Sequence, residues 1–116
     1  MDWQPLNLDD IPTCAGVYGW QHQETWLYIG QSKNLSKRLN TQHKPLRIAL
    51  SLELEISYWY IPHETPRRLE RQLHKTFQPL WCGGLDIHAK YPGHPSCVWM
   101  QEAVSREEVA EAISNI

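Results

Sequence analysis

Two β-rich runs near the start of the chain place the strongest constraint on its fold. Residues 16–20 are Gly-Val-Tyr-Gly-Trp and residues 25–29 are Thr-Trp-Leu-Tyr-Ile, with the polar stretch 21–24 between them. Apolar and aromatic runs this close together predict an antiparallel hairpin, and Gly30 ends its second strand.

An alternation of apolar and polar side chains predicts a third strand over residues 52–60. Leu, Leu, Ile, Tyr and Tyr occupy the even positions, and Glu, Glu, Ser and Trp occupy the odd ones. A period of two over this length indicates a strand with one buried face, and Pro62 stops it.

Helices are predicted on both sides of this third strand. Ser32 or Asn34 can cap the first helix, which ends before Pro45 because the residue preceding a proline avoids the helical region. A short second helix is predicted over residues 47–50. Thr65 starts the third, with its hydroxyl as the cap and a proline at the first helical position. The inward-facing positions predicted for the first and third helices are Leu35, Leu39, Leu69, Leu73 and Phe77.

The last third of the chain has a different character. Pro79 closes the third helix, and residues 81–98 are rich in glycine, proline and histidine, which predicts a long loop. A capping box over residues 105–108 then opens a last helix. Its predicted inward positions are Val109, Ile113 and Ile116.

The order β-β-α-(α)-β-α-loop-α predicts a small α/β (α+β) domain, with a three-stranded antiparallel sheet flanked by helices. A chain of 116 residues suits one domain, residues 1–116, with its core at about 12–82 and a loop and C-terminal helix at 83–116. No apolar run approaches the roughly 20 residues of a membrane span, and the start does not resemble a signal peptide. We therefore expect a soluble cytoplasmic protein with no membrane partner.

Charge and cysteine usage leave alternatives open. Between Gln31 and Lys75 there are nine basic residues and four acids, so this segment is +5 while the rest of the chain is −7. Either a polyanion docks on the central segment or the surface is an ordinary mixed one.

The three cysteines are expected to be reduced thiols. The alternative is a structural zinc site at Cys82, His88, His94 and Cys97, although their spacing matches no usual zinc pattern.

Five side chains together suit the cutting of a phosphodiester bond. Tyr18 and Tyr28 lie on the paired strands, where a suitable register brings both hydroxyls to one face. Arg38 and His43 follow, and Glu70 lies beside the apolar stripe of the third helix. A carboxylate can hold a hard divalent cation, arginine can neutralise phosphate oxygens, and a general base must take a proton from the attacking water.

The order of these motifs resembles the GIY-YIG nuclease superfamily, in particular its UvrC-like and homing-endonuclease-like catalytic domains. The resemblance covers roughly residues 14–82, and its glutamate element rests on position within a predicted helix. The matching segments are Gly16-Val17-Tyr18, Tyr28-Ile29-Gly30-Gln31-Ser32, Asn34-Leu35, Arg38-Leu39 and Leu69-Glu70.

The resemblance implies a small GIY-YIG fold and a metal-dependent endonuclease that hydrolyses DNA. Tyr18 would be the general base or its relay, and Tyr28 would bind the phosphate or position the water. Arg38 would stabilise the transition state, and His43 would lie near the phosphate. Glu70 would hold a single Mg²⁺ or Mn²⁺.

DNA is the expected partner, with specificity supplied by loops, a homodimer or an accessory protein. The side chains expected to contact DNA are Lys33, Lys37, Arg38 and Arg67. We also expect Lys33 to lower the pKa of a tyrosine.

The resemblance has one departure. Where the family places an asparagine after the glutamate helix, this chain has Cys82. Either Gln78 or another residue replaces it, or activity is reduced. A catalytically weak or inactive module that binds nucleic acid or protein is therefore the alternative function.

Overall fold

A four-stranded antiparallel sheet forms the centre of the fold, in a computed structural model that describes residues 2–40, 43–82, 98–99 and 106–114. The α+β class is confirmed, but the sheet has four strands where the sequence predicted three. The added strand, β1, has two residues and pairs with β4 at the edge of the sheet. The strands, in the spatial order β1-β4-β2-β3, are β1 Gln4–Pro5, β2 Gly16–His22, β3 Thr25–Ser32 and β4 Ile56–Pro62.

The predicted hairpin between β2 and β3 is confirmed, and both strands run further than the apolar runs. The turn between them includes Gln23, whose φ of 56° is left-handed. A register irregularity lies between Trp20 and Gln21. Before it, Tyr18 is opposite Gly30, so alternate residues of the two strands share one face of the sheet.

The third predicted strand, β4, begins later than the alternation suggested. Residue Leu52 is instead buried at the end of the preceding helix, where its N–H donates to Ala49. Leu54 is 38% exposed and lies outside the strand. The expected single buried face is also wrong. Tyr58 packs on one side of the sheet and Ile61 is buried on the other, because β4 lies inside a sheet covered on both faces.

The helices largely follow the sequence signals. Asn34 accepts the Lys37 N–H as the N-cap of the first helix, which stops well short of Pro45. Pro45 instead lies in the first turn of the second helix, which is longer than predicted. Thr65 precedes the third helix, but its hydroxyl makes no cap hydrogen bond and lies 3.3 Å from His63 Nδ1. The helices are α1 Leu35–Arg38, α2 Lys44–Ser51, α3 Pro66–Phe77 and α4 Arg106–Ser114.

Two buried clusters cover the two faces of the sheet. Leu73 of α3 packs with Val17, Ile29 and Ile61, and two further α3 side chains, as predicted, lie against this cluster. The opposite face carries the larger cluster, which contains the two leucines predicted for α1 and half-buried Ile113 of α4. The sheet is thus a layer between α3 and the other helices.

Part of the sequence prediction falls outside the described residues. The predicted loop begins in β5 Trp81–Cys82 and reaches β6 Val98–Trp99, two short strands that pair in parallel. Residues 83–97, the Ser105 cap, the side chain of Val109 and residue Ile116 lie outside the described part. None of the described helices is long and apolar enough to cross a membrane.

Candidate active site

Tyr18 and Tyr28 project from the same face of the hairpin, as the sequence predicted. Tyr18 is opposite Gly30, and Tyr28 is opposite Trp20, so both rings alternate onto one side of the sheet. Their ring centroids are 6.2 Å apart. Both side chains are buried, Tyr18 almost completely.

Gly30 gives these two rings their space. A Cβ atom built on Gly30 would lie 2.6 Å from the Tyr18 hydroxyl oxygen and 2.9 Å from Tyr28 Cε2. Both distances are shorter than van der Waals contact. Position 30 therefore needs glycine because the Tyr18 ring lies across it.

His43 connects the Tyr18 hydroxyl to the start of α2. Its Nε2 is 2.8 Å from the Tyr18 oxygen, and its Nδ1 accepts the backbone N–H of Leu46 at 3.2 Å as the N-cap of the helix. Burial, with a further contribution from the charge of Arg38, lowers the pKa of His43 to about 4, so the ring is neutral at neutral pH.

The helix cap also decides which ring nitrogen carries the proton. A neutral imidazole has one N–H, and a nitrogen that accepts a hydrogen bond cannot hold it. Because Nδ1 of His43 accepts from Leu46, the proton is on Nε2 and is donated to the Tyr18 oxygen. His43 is therefore a fixed donor to Tyr18 and not the acceptor of its proton.

The two tyrosines are protonated at neutral pH. Burial raises the pKa of Tyr18 to about 12, although the nearby charge of Arg38 opposes it. Burial also raises the pKa of Tyr28 well above its ordinary value. The charge of Glu70 raises both further. The expectation that Lys33 lowers a tyrosine pKa is wrong, because burial dominates and the cation acting on both rings is Arg38.

Glu70 is a buried carboxyl on α3, only 6% exposed. Burial raises its pKa to about 7, and the positive charges of Arg67, Arg71 and Arg38 pull the pKa back toward its ordinary range. At one residue per 100° around the helix, Glu70 lies between the apolar stripe through Leu73 and the basic side of α3. Its charge acts on both tyrosines, and three arginine charges act on it in turn.

The surroundings of Glu70 fit a single hard cation. Its carboxylate accepts no hydrogen bond within the described part of the chain, so its oxygens have no competing donor there. The described residues contain no group of three or more histidine, cysteine or carboxylate side chains able to hold a metal. A Mg²⁺ or Mn²⁺ site built on one carboxylate, with water and substrate phosphate as the other ligands, needs no such group.

A basic groove of about 1220 Å³ lies between the end of β3 and α3. It contains Arg38 and the two α3 arginines that act on Glu70. One acid lines it, Glu64. Its lining side chains are Gln31, Ser32, Lys33, Arg38, Glu64, Thr65, Pro66, Arg67, Arg68, Arg71, Gln72 and Lys75.

The groove only partly matches the predicted DNA contacts. Lys33, Arg38 and Arg67 line it, whereas Lys37 is exposed on α1 and is not part of its lining. Three further cations that line it were not among the predicted DNA contacts. They are Arg68, Arg71 and Lys75. The sequence could have indicated them, because they lie on the side of α3 opposite its apolar stripe.

His74, on the same helix as Glu70, stabilises the packing of α3 against the sheet. Its buried ring donates from Nε2 to the Ile29 carbonyl at 2.8 Å, which ties α3 to the edge strand β3. Burial lowers its pKa and keeps the ring neutral at neutral pH, although the hydrogen bond acts in the opposite direction. This bond fixes the helix that carries Glu70 against the hairpin that carries Tyr28.

Two expectations on the C-terminal side lie largely beyond the described residues. The proposed zinc ligands His88, His94 and Cys97 are outside them, as is the side chain of Cys82. Gln78, the suggested replacement for the family asparagine, is exposed at the end of α3 with a left-handed φ of 45°.

Comparisons with protein families, curated proteins and solved structures find no match to this chain.

Proposed function

We propose that this chain is a metal-dependent endonuclease that hydrolyses DNA phosphodiester bonds. The observation that carries the proposal is the convergence of five side chains from separate elements on one site. Two buried tyrosines, a hydrogen-bonded histidine and a buried carboxyl interact there with one arginine. These residues are Tyr18, Tyr28, Arg38, His43 and Glu70.

The chemistry of each group supports a role in hydrolysis. Arg38 is exposed in the groove and supplies the positive charge that a phosphate in the transition state requires. Glu70 would hold Mg²⁺ or Mn²⁺, which when bound polarises the phosphate and stabilises the leaving oxygen. Its pKa of about 7 means that it is largely ionised, and thus able to bind a cation, only above neutral pH.

Tyr18 would handle the proton of the attacking water. Its oxygen receives the N–H of His43 and lies near the charge of Arg38, and both favour the phenolate. At neutral pH the hydroxyl keeps its proton, so the resting enzyme offers a donor that orients water or phosphate. Loss of that proton converts Tyr18 into the base, and the rate should therefore increase with pH.

Cleavage of defined DNA substrates tests this function. Wild-type protein and Glu70→Gln, Tyr18→Phe and Arg38→Ala variants are incubated with supercoiled, branched and single-stranded DNA, with and without Mn²⁺. We expect cleavage by the wild type only with the metal, and losses of at least about 100-fold in each variant. Glu53→Gln, which changes an exposed carboxylate outside the groove, is the matched control and should cut normally.

The assay also separates the alternative function. DNA binding without cutting under every metal condition would support an inactive binding module and refute the endonuclease. Cleavage that is unchanged in Glu70→Gln would also refute the proposal, because it would show that the reaction does not use this site.

A further inference from the structure

The basic side of α3 forms a continuous row of cations. Arg67, Arg71 and Lys75 recur at intervals of four residues, and Arg68 lies beside them on the same side of the helix. All four are exposed and line the groove. With Lys33 on the opposite wall, the cations extend from the candidate active site along the helix.

The lining of the groove distinguishes between two forms of nucleic acid. Proteins that bind single strands usually provide aromatic side chains on which unpaired bases stack. None of the described side chains that line this groove is aromatic. Cations without a stacking surface suit the sugar-phosphate backbone of a duplex, whose bases already stack on one another.

We infer that the α3 groove binds the phosphate backbone of duplex DNA and leads one strand to the site at Arg38. This inference rests on the proposed function for its biological meaning, although the binding can be measured without any cleavage. Its contacts are to phosphates, so the groove fixes the position of the duplex and does not read its sequence.

The helix geometry sets the number of contacts. The eight residues from Arg67 to Lys75 span about 12 Å at about 1.5 Å per residue. Phosphates on one strand repeat about every 3.4 Å along the duplex axis, so the row can contact about three or four of them. The logarithm of the binding constant should therefore fall against the logarithm of salt concentration with a slope of about −3.

Fluorescence anisotropy in EDTA tests the inference with labelled duplex and single-stranded DNA of equal length. The informative variants are Arg68→Ala and Lys75→Ala, because neither side chain acts on the pKa of Glu70. Each should weaken duplex binding by about 3- to 10-fold at low salt and make the slope shallower by about 0.9. Arg47→Ala, which removes an exposed arginine of α2 outside the groove, is the control and should bind normally.

The outcomes separate this inference from the proposed function. Equal affinity of the groove variants and the control for duplex DNA would overturn it, as would tighter binding to the single strand. A strong dependence of affinity on duplex sequence would overturn the claim of backbone contacts alone. Weaker duplex binding in the two groove variants but not in the control, without cleavage in Mn²⁺, would support duplex binding by the groove and refute the endonuclease.

Discussion

Neutralising Glu70 should stabilise the folded protein when no metal is present. Its carboxyl is buried, with a pKa of about 7 in the folded chain against 4.5 for an unperturbed carboxyl. The folded state therefore holds this proton more tightly than the unfolded state does. The contribution of Glu70 to stability is greatest below pH 4.5 and is lost as the pH rises through about 7.

The size of the effect follows from the two pKa values. Each pKa unit corresponds to about 1.36 kcal/mol, so ionisation of Glu70 lowers the free energy of unfolding by about 3 kcal/mol. Glu70→Gln has no such ionisation. The variant should match the wild type near pH 4.5 and exceed its free energy of unfolding by about 3 kcal/mol at a pH of about 8.5.

Urea denaturation in EDTA at a series of pH values, followed by tryptophan fluorescence, measures this difference. The buried rings His43 and His74 have lowered pKa values, so their contribution to stability is lost as the pH falls below 6.5. They are present in both proteins, and their effect cancels in the difference. Glu64→Gln is the control for a carboxylate in an exposed position.

Two results would refute this reasoning. The first is a difference between Glu70→Gln and wild type that does not change with pH. The second is a variant less stable than the wild type at a pH of about 8.5, which would mean that the carboxylate makes favourable contacts in the folded chain. Adding Mn²⁺ should stabilise the wild type, by about 2.7 kcal/mol at 100 times its dissociation constant, and leave the variant unchanged.

His43, Gly30 and the pH dependence of cleavage provide three further tests. His43→Asn keeps a good N-cap, whereas His43→Ala does not. In urea denaturation the alanine variant should therefore be less stable than the asparagine variant by about 1 kcal/mol. Equal stability of the two variants would contradict the role of His43 as a helix cap. Gly30→Ala places a methyl group against the Tyr18 hydroxyl and should lower the free energy of unfolding by about 1–3 kcal/mol in the same assay. An unchanged free energy of unfolding would contradict this packing. The cleavage rate in saturating DNA should increase as the pH rises through about 7, because Glu70 loses its proton there. A rate that falls over this range would contradict the role of Glu70 as a metal ligand.

Local sequence signals predicted the elements that carry the site. The hairpin was visible because its two apolar runs are short, aromatic and close together, and its register alone brings Tyr18 and Tyr28 to one face. The Asn34 cap and the Pro66 start have purely local causes, so α1 and α3 began where expected.

Features that depend on distant contacts were not predictable in this way. β1 is two residues long and exists only because it pairs with β4. The alternation at residues 52–54 resembled the start of a strand. These residues instead follow α2, whose N-cap is His43. The expectation for Lys33 failed because the burial of the tyrosines, which dominates their pKa, results from packing across the sheet.

The most direct test of the central claim counts Mn²⁺ ions bound to the protein and measures DNA cleavage in the same samples. Electron paramagnetic resonance at a pH of about 8.5 reports free and bound Mn²⁺ for wild type, Glu53→Gln and Glu70→Gln. We predict one bound Mn²⁺ per chain, together with nicking of supercoiled DNA, in the first two proteins and neither in Glu70→Gln. Equal metal binding and equal nicking in all three would contradict the assignment of Glu70 as the metal ligand of a nuclease.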